Sequence, residues 1–258
     1  VDASQAAYLA GYASAGMTTT GTLAVIGGER DNVTSSQMSA FSQGVDAYNL
    51  ANGTSITVLG WNPVTSDGTY AGSADEVRAA TADAISQGAD IIAPFAGEAN
   101  EGAARAVTEA ANPTVRLVWS GLTKNDLKGL TRDEAQSAET APMSGQSGAT
   151  VTQQVDTQSF ADAFSYIQIS DEVRSAIGAP VLTGVVVDYK AAMETLISQA
   201  SAGGKASVVP VSLASGGVIL TGFGSYTPML SSELKLGLSD MAGQIETGGM
   251  VISTPFDV

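Results

Sequence analysis

Short apolar runs alternate along the chain with longer segments in which apolar residues recur at helical spacing. The runs are Leu23–Ile26, Ile56–Trp61, Asp90–Phe95, Val115–Trp119 and Val181–Val187. Between them the apolar positions fall three and four residues apart, which is the period of an amphipathic helix. The predicted helices include one that Ser35 or Ser36 caps and one at about residues 171–177. Strands that alternate with helices are typical of βαβ units. The sequence therefore predicts an α/β fold with a mostly parallel sheet.

The composition excludes several kinds of chemistry. The 258 residues include no His and no Cys, which rules out an imidazole base, a thiol nucleophile, a Cys/His zinc site and disulfides. The 26 acidic and 11 basic residues give a net charge of −15, which disfavours nucleic acid and anionic membrane surfaces as partners. No cofactor and no metal are predicted, and a small molecule is the expected partner.

Glycines mark two predicted strand-to-helix turns. Gly27-Gly28 follows the first strand, and Gly97 follows the strand that ends at Phe95. Neither turn forms a recognised phosphate-binding motif, and tight turns alone explain these glycines. Ligands in open α/β sheets nevertheless bind beyond the carboxyl ends of the strands. This favours Phe95, Gly97, Glu98 and Asn100 as ligand-binding candidates, although Phe95 fits a core position equally well.

Carboxylates near the predicted strand ends leave an enzymatic alternative open. Asp31, Glu98 and Asp156 could face one cleft, and a pair of carboxylates can supply general acid and base catalysis. No nucleophile-elbow, zinc-protease or calcium-loop motif accompanies them. The alternative is an α/β enzyme that acts on a sugar or nucleoside, and loop carboxylates that are simply solvated are the plainer interpretation.

An ordered set of short motifs resembles a known family. The motifs are Gln5–Tyr12, Leu23–Gly28, Ala40–Val45, Ser86–Gly97, Val181–Val186 and Ser215–Val218. Together they resemble the basic membrane protein family, the nucleoside-binding lipoproteins of ABC importers. The resemblance implies a periplasmic-binding-protein-like fold of type I, with three-layer αβα lobes, mostly parallel sheets and a nucleoside or sugar-like ligand between the lobes. It also implies an ABC permease as partner, an extracytoplasmic location and a lipid anchor outside this chain.

The resemblance also implies a division of the chain. Members of the family begin with a further strand-helix unit, so the chain is expected to be truncated at its N-terminus. Residues 1–17 are then an inter-lobe helix, and residues 18–180 form a nearly complete lobe. A polar insertion occupies about residues 122–149. Residues 181–258 are the C-terminal part of the other lobe.

The family's ligand-binding residues transfer only in part. Its Arg-Phe pair, whose Phe stacks on the base, falls on Ser36 and Gln37, and its Lys after a late strand becomes Val187. The Asp that holds the ribose corresponds to Asp156, or the aligned position is Trp119 and the carboxylate is missing. The predicted ligand-binding set is Phe95, Gly97, Glu98, Asn100, Asp156, Gln37 and Trp119. In it Phe95 or Trp119 would stack, and Asp156, Asn100 and Glu98 would bind hydroxyl groups, without catalysis.

Overall fold

The computed structural model describes residues 3–128, 167–202 and 211–255. Asp156 and most of the predicted insertion lie outside these residues. The described strands are β1 (Thr22–Gly27), β2 (Thr57–Leu59), β3 (Trp61–Asn62), β4 (Asp67–Gly68), β5 (Ile91–Phe95), β6 (Arg116–Leu122), β7 (Leu127–Lys128), β8 (Gln168–Ile169), β9 (Val181–Val187) and β10 (Val218–Leu220). The described α-helices are α1 (Ser4–Met17), α2 (Asn32–Asn52), α3 (Ala74–Ser86), α4 (Asn100–Ala110), α5 (Asp171–Ile177), α6 (Lys190–Ser201) and α7 (Ser232–Glu246).

Six of these strands form one sheet in the order β10-β9-β6-β5-β1-β2. From β2 to β9 every neighbouring pair is parallel, and β10 pairs antiparallel with β9. Apolar side chains of α1, α2 and α7 cover one face of the sheet, and those of α3, α4 and α5 cover the other. The predicted three-layer α/β architecture with a mostly parallel sheet is confirmed.

The predicted change of lobe at residue 181 does not agree with this sheet. Strand β9 begins at Val181 and runs parallel to β6, with Leu117 opposite Val181 and Leu122 opposite Val186. Residues on both sides of the predicted boundary therefore build the same sheet. Hydrophobic periodicity identified β9 as a strand, but it carries no information about which strand is its neighbour.

Helix α1 lies in one of the two helical layers that cover this sheet, whereas the sequence predicts an inter-lobe helix at residues 1–17. It contacts α2, α7 and the strands β9 and β10, and nearly all of its residues are buried. Gly11 and Gly44 allow the close contact with α2, because a Cβ on either would lie 2.0 Å from a backbone oxygen of the facing helix. The burial of α1 also raises the pKa of Tyr8 and of Tyr12.

Two details of local structure correct the sequence analysis. The N-cap of α2 is Asp31, whose Oδ1 accepts a hydrogen bond from the Thr34 amide, and the Ser35 and Ser36 predicted as caps lie inside the helix. The strand predicted at residues 56–61 is interrupted at Gly60, which has a φ of +82°. Such a conformation is readily available only to glycine, and it separates β2 from β3.

Within the described ranges, no helix combines the length and the apolar character that crossing a membrane would require.

Candidate functional site

The turns after β1 and β5 lie in direct backbone contact at the carboxyl edge of the sheet. The Gly28 amide donates a hydrogen bond of 3.1 Å to the Phe95 carbonyl oxygen. A Cβ on Gly28 would lie 2.9 Å from the Ala96 Cα, which is closer than real Cβ atoms approach other atoms. Only glycine fits at position 28. Because the two turns touch through their backbones, the distance between them is fixed, and they lie at the edge where open α/β sheets bind their ligands.

Asn100 holds the second of these turns in place. Its side chain is buried, and Oδ1 accepts a hydrogen bond of 2.8 Å from the Ala96 amide. Its Nδ2 donates to the backbone oxygen and to Oγ of Ser120 at 3.2 and 3.0 Å. Ser120 Oγ in turn donates to the Pro94 carbonyl oxygen at 2.6 Å. The side chain of the predicted ligand-binding residue Asn100 is thus hydrogen-bonded in the protein interior, where it fixes the turn at residues 96–99.

Gly97 and Glu98 lie on the exposed side of that turn. They belong to the short 3-10 helix Gly97–Ala99, in which Gly97 has a φ of +59°. Both residues are exposed to solvent. The backbone of Gly97 and the carboxylate of Glu98 are therefore open to a ligand at the carboxyl edge, and their binding role stays a prediction.

The two aromatic candidates, Phe95 and Trp119, are not brought together. Phe95 is only 4% exposed, and its ring packs edge-on against Phe41 with 6.4 Å between centroids. Trp119 lies on the other face of the sheet, where it lines a groove of about 500 Å³ between α4 and α5. Phe95 therefore contributes to the hydrophobic core, and Trp119 faces the outer helices and not the carboxyl edge.

Two predicted ligand-binding residues remain, Gln37 and Asp156. Gln37 is half-buried in the second turn of α2. Asp156 lies outside the described residues, so its role stays a prediction. Asp31, part of the proposed carboxylate pair, caps α2. Among the described residues, no group of three or more Asp, Glu, His or Cys side chains is arranged to hold a metal ion.

A polar cluster that the sequence does not predict lies beside Gly27. Tyr70 is brought there by a bridge between residues 27 and 70, and its hydroxyl lies 2.8 Å from Ser35 Oγ. The Cζ atom of Arg30 is 5.9 Å from the centre of the Tyr70 ring. Arg30 Nη2 and Asp67 Oδ1 are 3.3 Å apart. Hydrophobic periodicity does not predict this cluster, because the hairpin at residues 61–68 and the segment that follows it have no regular apolar pattern.

A second charged pair follows β6 and β9 at the same edge. Asp188 is buried, its Oδ1 accepts a hydrogen bond of 2.9 Å from the Lys190 amide, and its Oδ2 is 3.4 Å from Lys124 Nζ. Lys124 is half-exposed, so the ammonium group remains accessible from solvent. The carboxyl edge thus presents charged groups of both signs between rigid turns, which suits a polar uncharged or zwitterionic ligand.

Solved structures share the fold of this chain at low sequence identity. ABC transporter solute-binding proteins from Conexibacter woesei DSM 14684 and Aeropyrum pernix K1 superpose with TM-scores of 0.59 and 0.60 at 13% and 16% identity. A transcriptional activator of the comK gene from Bacillus halodurans gives 0.57 at 13%. Each superposition covers 98% of this chain but only 64–65% of the other, so the chain spans less than two thirds of these proteins. No curated protein matches its sequence.

A family model matches the N-terminal part of the chain, over just under half of its residues. It covers residues 2–126 and describes PnrA-like substrate-binding proteins of ABC transporters. The matched range contains both turns at the carboxyl edge, Gly27-Gly28 and Phe95–Asn100. The resemblance read from the ordered motifs is confirmed, because residues 2–126 match the Bmp family model of PnrA-like ABC transporter substrate-binding proteins.

Proposed function

We propose that this chain supplies a ligand-binding lobe of the solute-binding component of an ABC importer. The ligand is a nucleoside or a related sugar-like molecule, held at the carboxyl edge of the sheet and released unchanged. The observation that carries this proposal is the family match at residues 2–126, because it spans both glycine turns at that edge. The importer's permease would be the protein partner, outside the cytoplasm, with a lipid anchor holding the protein at the membrane.

The groups exposed at this edge are suited to hydroxyl recognition. Glu98 offers carboxylate oxygens that can accept two hydrogen bonds from neighbouring hydroxyls, and Gly97 offers backbone next to it. A ligand that lacked the matching hydroxyls would leave buried polar groups unpaired once a cleft closed over it, at about 1–3 kcal/mol each. Selectivity for hydroxylated solutes follows from that cost and needs no reactive side chain.

The proposal is tested by the thermal stability of the full-length protein in the presence of adenosine, guanosine, uridine, ribose and glucose. A ligand that binds only the folded state adds about 2.7 kcal/mol to the free energy of unfolding when its concentration is a hundred times its Kd. This stabilisation raises Tm measurably. If none of the five compounds raises Tm, the proposal of a nucleoside or sugar ligand is wrong.

A variant separates binding at the carboxyl edge from binding elsewhere. We expect Glu98→Ala to weaken binding at least about tenfold, because the ligand loses a charged hydrogen-bond acceptor. Glu109→Ala is the matched control, since Glu109 is an exposed glutamate that pairs with Arg78 on the outer helices. Equal affinities of the two variants would contradict the assignment of the ligand to this edge.

A further inference from the structure

The guanidinium group of Arg30 is held from two sides at the carboxyl edge. Its Cζ lies 5.9 Å from the centre of the Tyr70 ring, which is the range of a cation–π contact. Its Nη2 lies 3.3 Å from Asp67 Oδ1. Asp67 is carried by the small β3–β4 hairpin, and Oδ1 also accepts a hydrogen bond from the Gly68 amide at 2.8 Å. The cation is therefore positioned by the protein and does not move freely in solvent.

Tyr70, which supports the guanidinium, is itself rigidly placed. Gly27 donates its amide hydrogen to the Thr69 carbonyl oxygen at 2.9 Å and accepts one from the Ala71 amide at 2.8 Å. The Tyr70 hydroxyl lies 2.8 Å from Oγ of Ser35, which is buried in α2. The ring is thus tied to β1 by the backbone and to α2 by its hydroxyl, and a preorganised support of this kind lowers the cost of ordering Arg30 on binding.

The outer side of the same group is open. The side chains of Arg30 and Asp67 are 63% and 50% exposed. A guanidinium is planar and weakly hydrated, and its free face stacks well on aromatic rings. Among the described residues, Asp67 Oδ2 has no hydrogen-bond partner, since both contacts of the carboxylate fall on Oδ1. A flat cationic surface therefore lies beside a free acceptor, three residues after the first glycine of the Gly27-Gly28 turn.

We propose that Arg30 and Asp67 select the base of a nucleoside ligand, an inference that rests on the proposed function of the carboxyl edge. The planar base stacks on the exposed face of the Arg30 guanidinium, and Asp67 Oδ2 accepts a hydrogen bond from an N–H group at the edge of the base. The aromatic side chains that the sequence suggested for stacking, Phe95 and Trp119, are a core residue and a residue of the opposite face. Arg30 with Tyr70 behind it supplies the flat surface in their place.

The test compares Arg30→Lys with the wild-type full-length protein, using adenosine, uridine and free ribose as probes in isothermal titration calorimetry. Lysine keeps the positive charge but lacks the plane, so nucleoside affinity should fall about tenfold while ribose affinity stays the same. Arg78→Lys is the control, because Arg78 is an exposed arginine whose guanidinium pairs with Glu109 on the outer helices. It should leave all three affinities unchanged.

The outcomes distinguish a failure of the proposed role of Arg30 from a failure of the proposed ligand-binding function. Nucleoside binding that survives Arg30→Lys overturns the inference alone. A wild-type protein that binds ribose but neither nucleoside also overturns it, while a sugar-binding function stands. If the wild-type protein binds none of the three probes, both the inference and the proposed nucleoside or sugar ligand are contradicted. Thermal unfolding without ligand confirms that the exposed substitution leaves the fold intact.

Discussion

At the scale of single residues, the same position can bind a ligand or hold a turn, and burial decides between the two roles. Asn100 follows the β5 turn, where a ligand-binding amide was predicted. The structure shows it 1% exposed, with hydrogen bonds to Ala96 and Ser120. Its neighbour Glu98 is exposed on the same turn. Sequence alone could not separate them, because both are polar residues at the end of one strand.

This role of Asn100 predicts a large effect on stability. Asn100→Ala removes three hydrogen bonds and leaves the Ala96 amide and the Ser120 oxygen atoms without their partner in the interior. We expect the free energy of unfolding to fall by about 2–3 kcal/mol, measured by urea denaturation. Asn62→Ala is the matched control, because Asn62 is exposed and accepts its hydrogen bonds from the Val64 and Thr65 amides in a surface turn. Similar losses in the two variants would contradict the anchoring role.

At the scale of elements, most helices and strands could be predicted from the sequence because their periodicity and end signals agree. The predicted strand at residues 181–187 and the predicted helix at residues 171–177 coincide with β9 and α5. Helix α3 begins with a capping box between Ser73 and Glu76, and Gly88 just beyond its end has a φ of +97°. The predicted ends of elements are wrong where a single residue outweighs the hydrophobic pattern. Gly60 interrupts the predicted strand at residues 56–61, and Asp31 caps α2 in place of Ser35 or Ser36.

The contact between α1 and α2 gives a prediction at this scale. A methyl group on Gly44 would lie 2.0 Å from the Tyr8 carbonyl oxygen, and neither backbone can move away without separating the helices. Gly44→Ala should therefore lower the free energy of unfolding by about 3 kcal/mol. Gly243→Ala is the control, since a Cβ in the interior of α7 meets nothing within 4 Å and alanine favours helix there. A Gly44→Ala protein as stable as the control would show that the helices are less closely packed.

At the scale of the whole molecule, strand neighbours were the part of the fold that the sequence left open. The pairing of β6 with β9 joins residues that are 64 positions apart at Leu117 and Val181. Apolar runs mark both as buried strands, but only packing determines that they are adjacent. The predicted boundary at residue 181 divided segments that belong to one sheet. The family match ends at residue 126 and could not locate this boundary either.

The shared sheet predicts how a shortened chain behaves. A chain of residues 1–180 corresponds to the predicted nearly complete lobe, but it lacks β9, β10 and α7. It would expose the edge of β6 and the face of α1 that contacts α7. We expect it to aggregate or to unfold without a cooperative transition in urea, and we expect the 258-residue chain to unfold cooperatively. A soluble chain of residues 1–180 with a sharp urea unfolding transition would instead support a lobe boundary at residue 181.

The close contact between Gly28 and Ala96 separates the positions at this edge that must stay unchanged from those that can change to bind a new ligand. The spacing of the two turns is set by contacts between their backbones. Arg30 and Glu98 project into solvent from these turns, and Asp67 projects from the neighbouring β3–β4 hairpin. Substitutions at these exposed positions usually change stability by less than about 0.5 kcal/mol. The chemistry of the edge can therefore be redesigned, one exposed side chain at a time, on a scaffold that tolerates the changes.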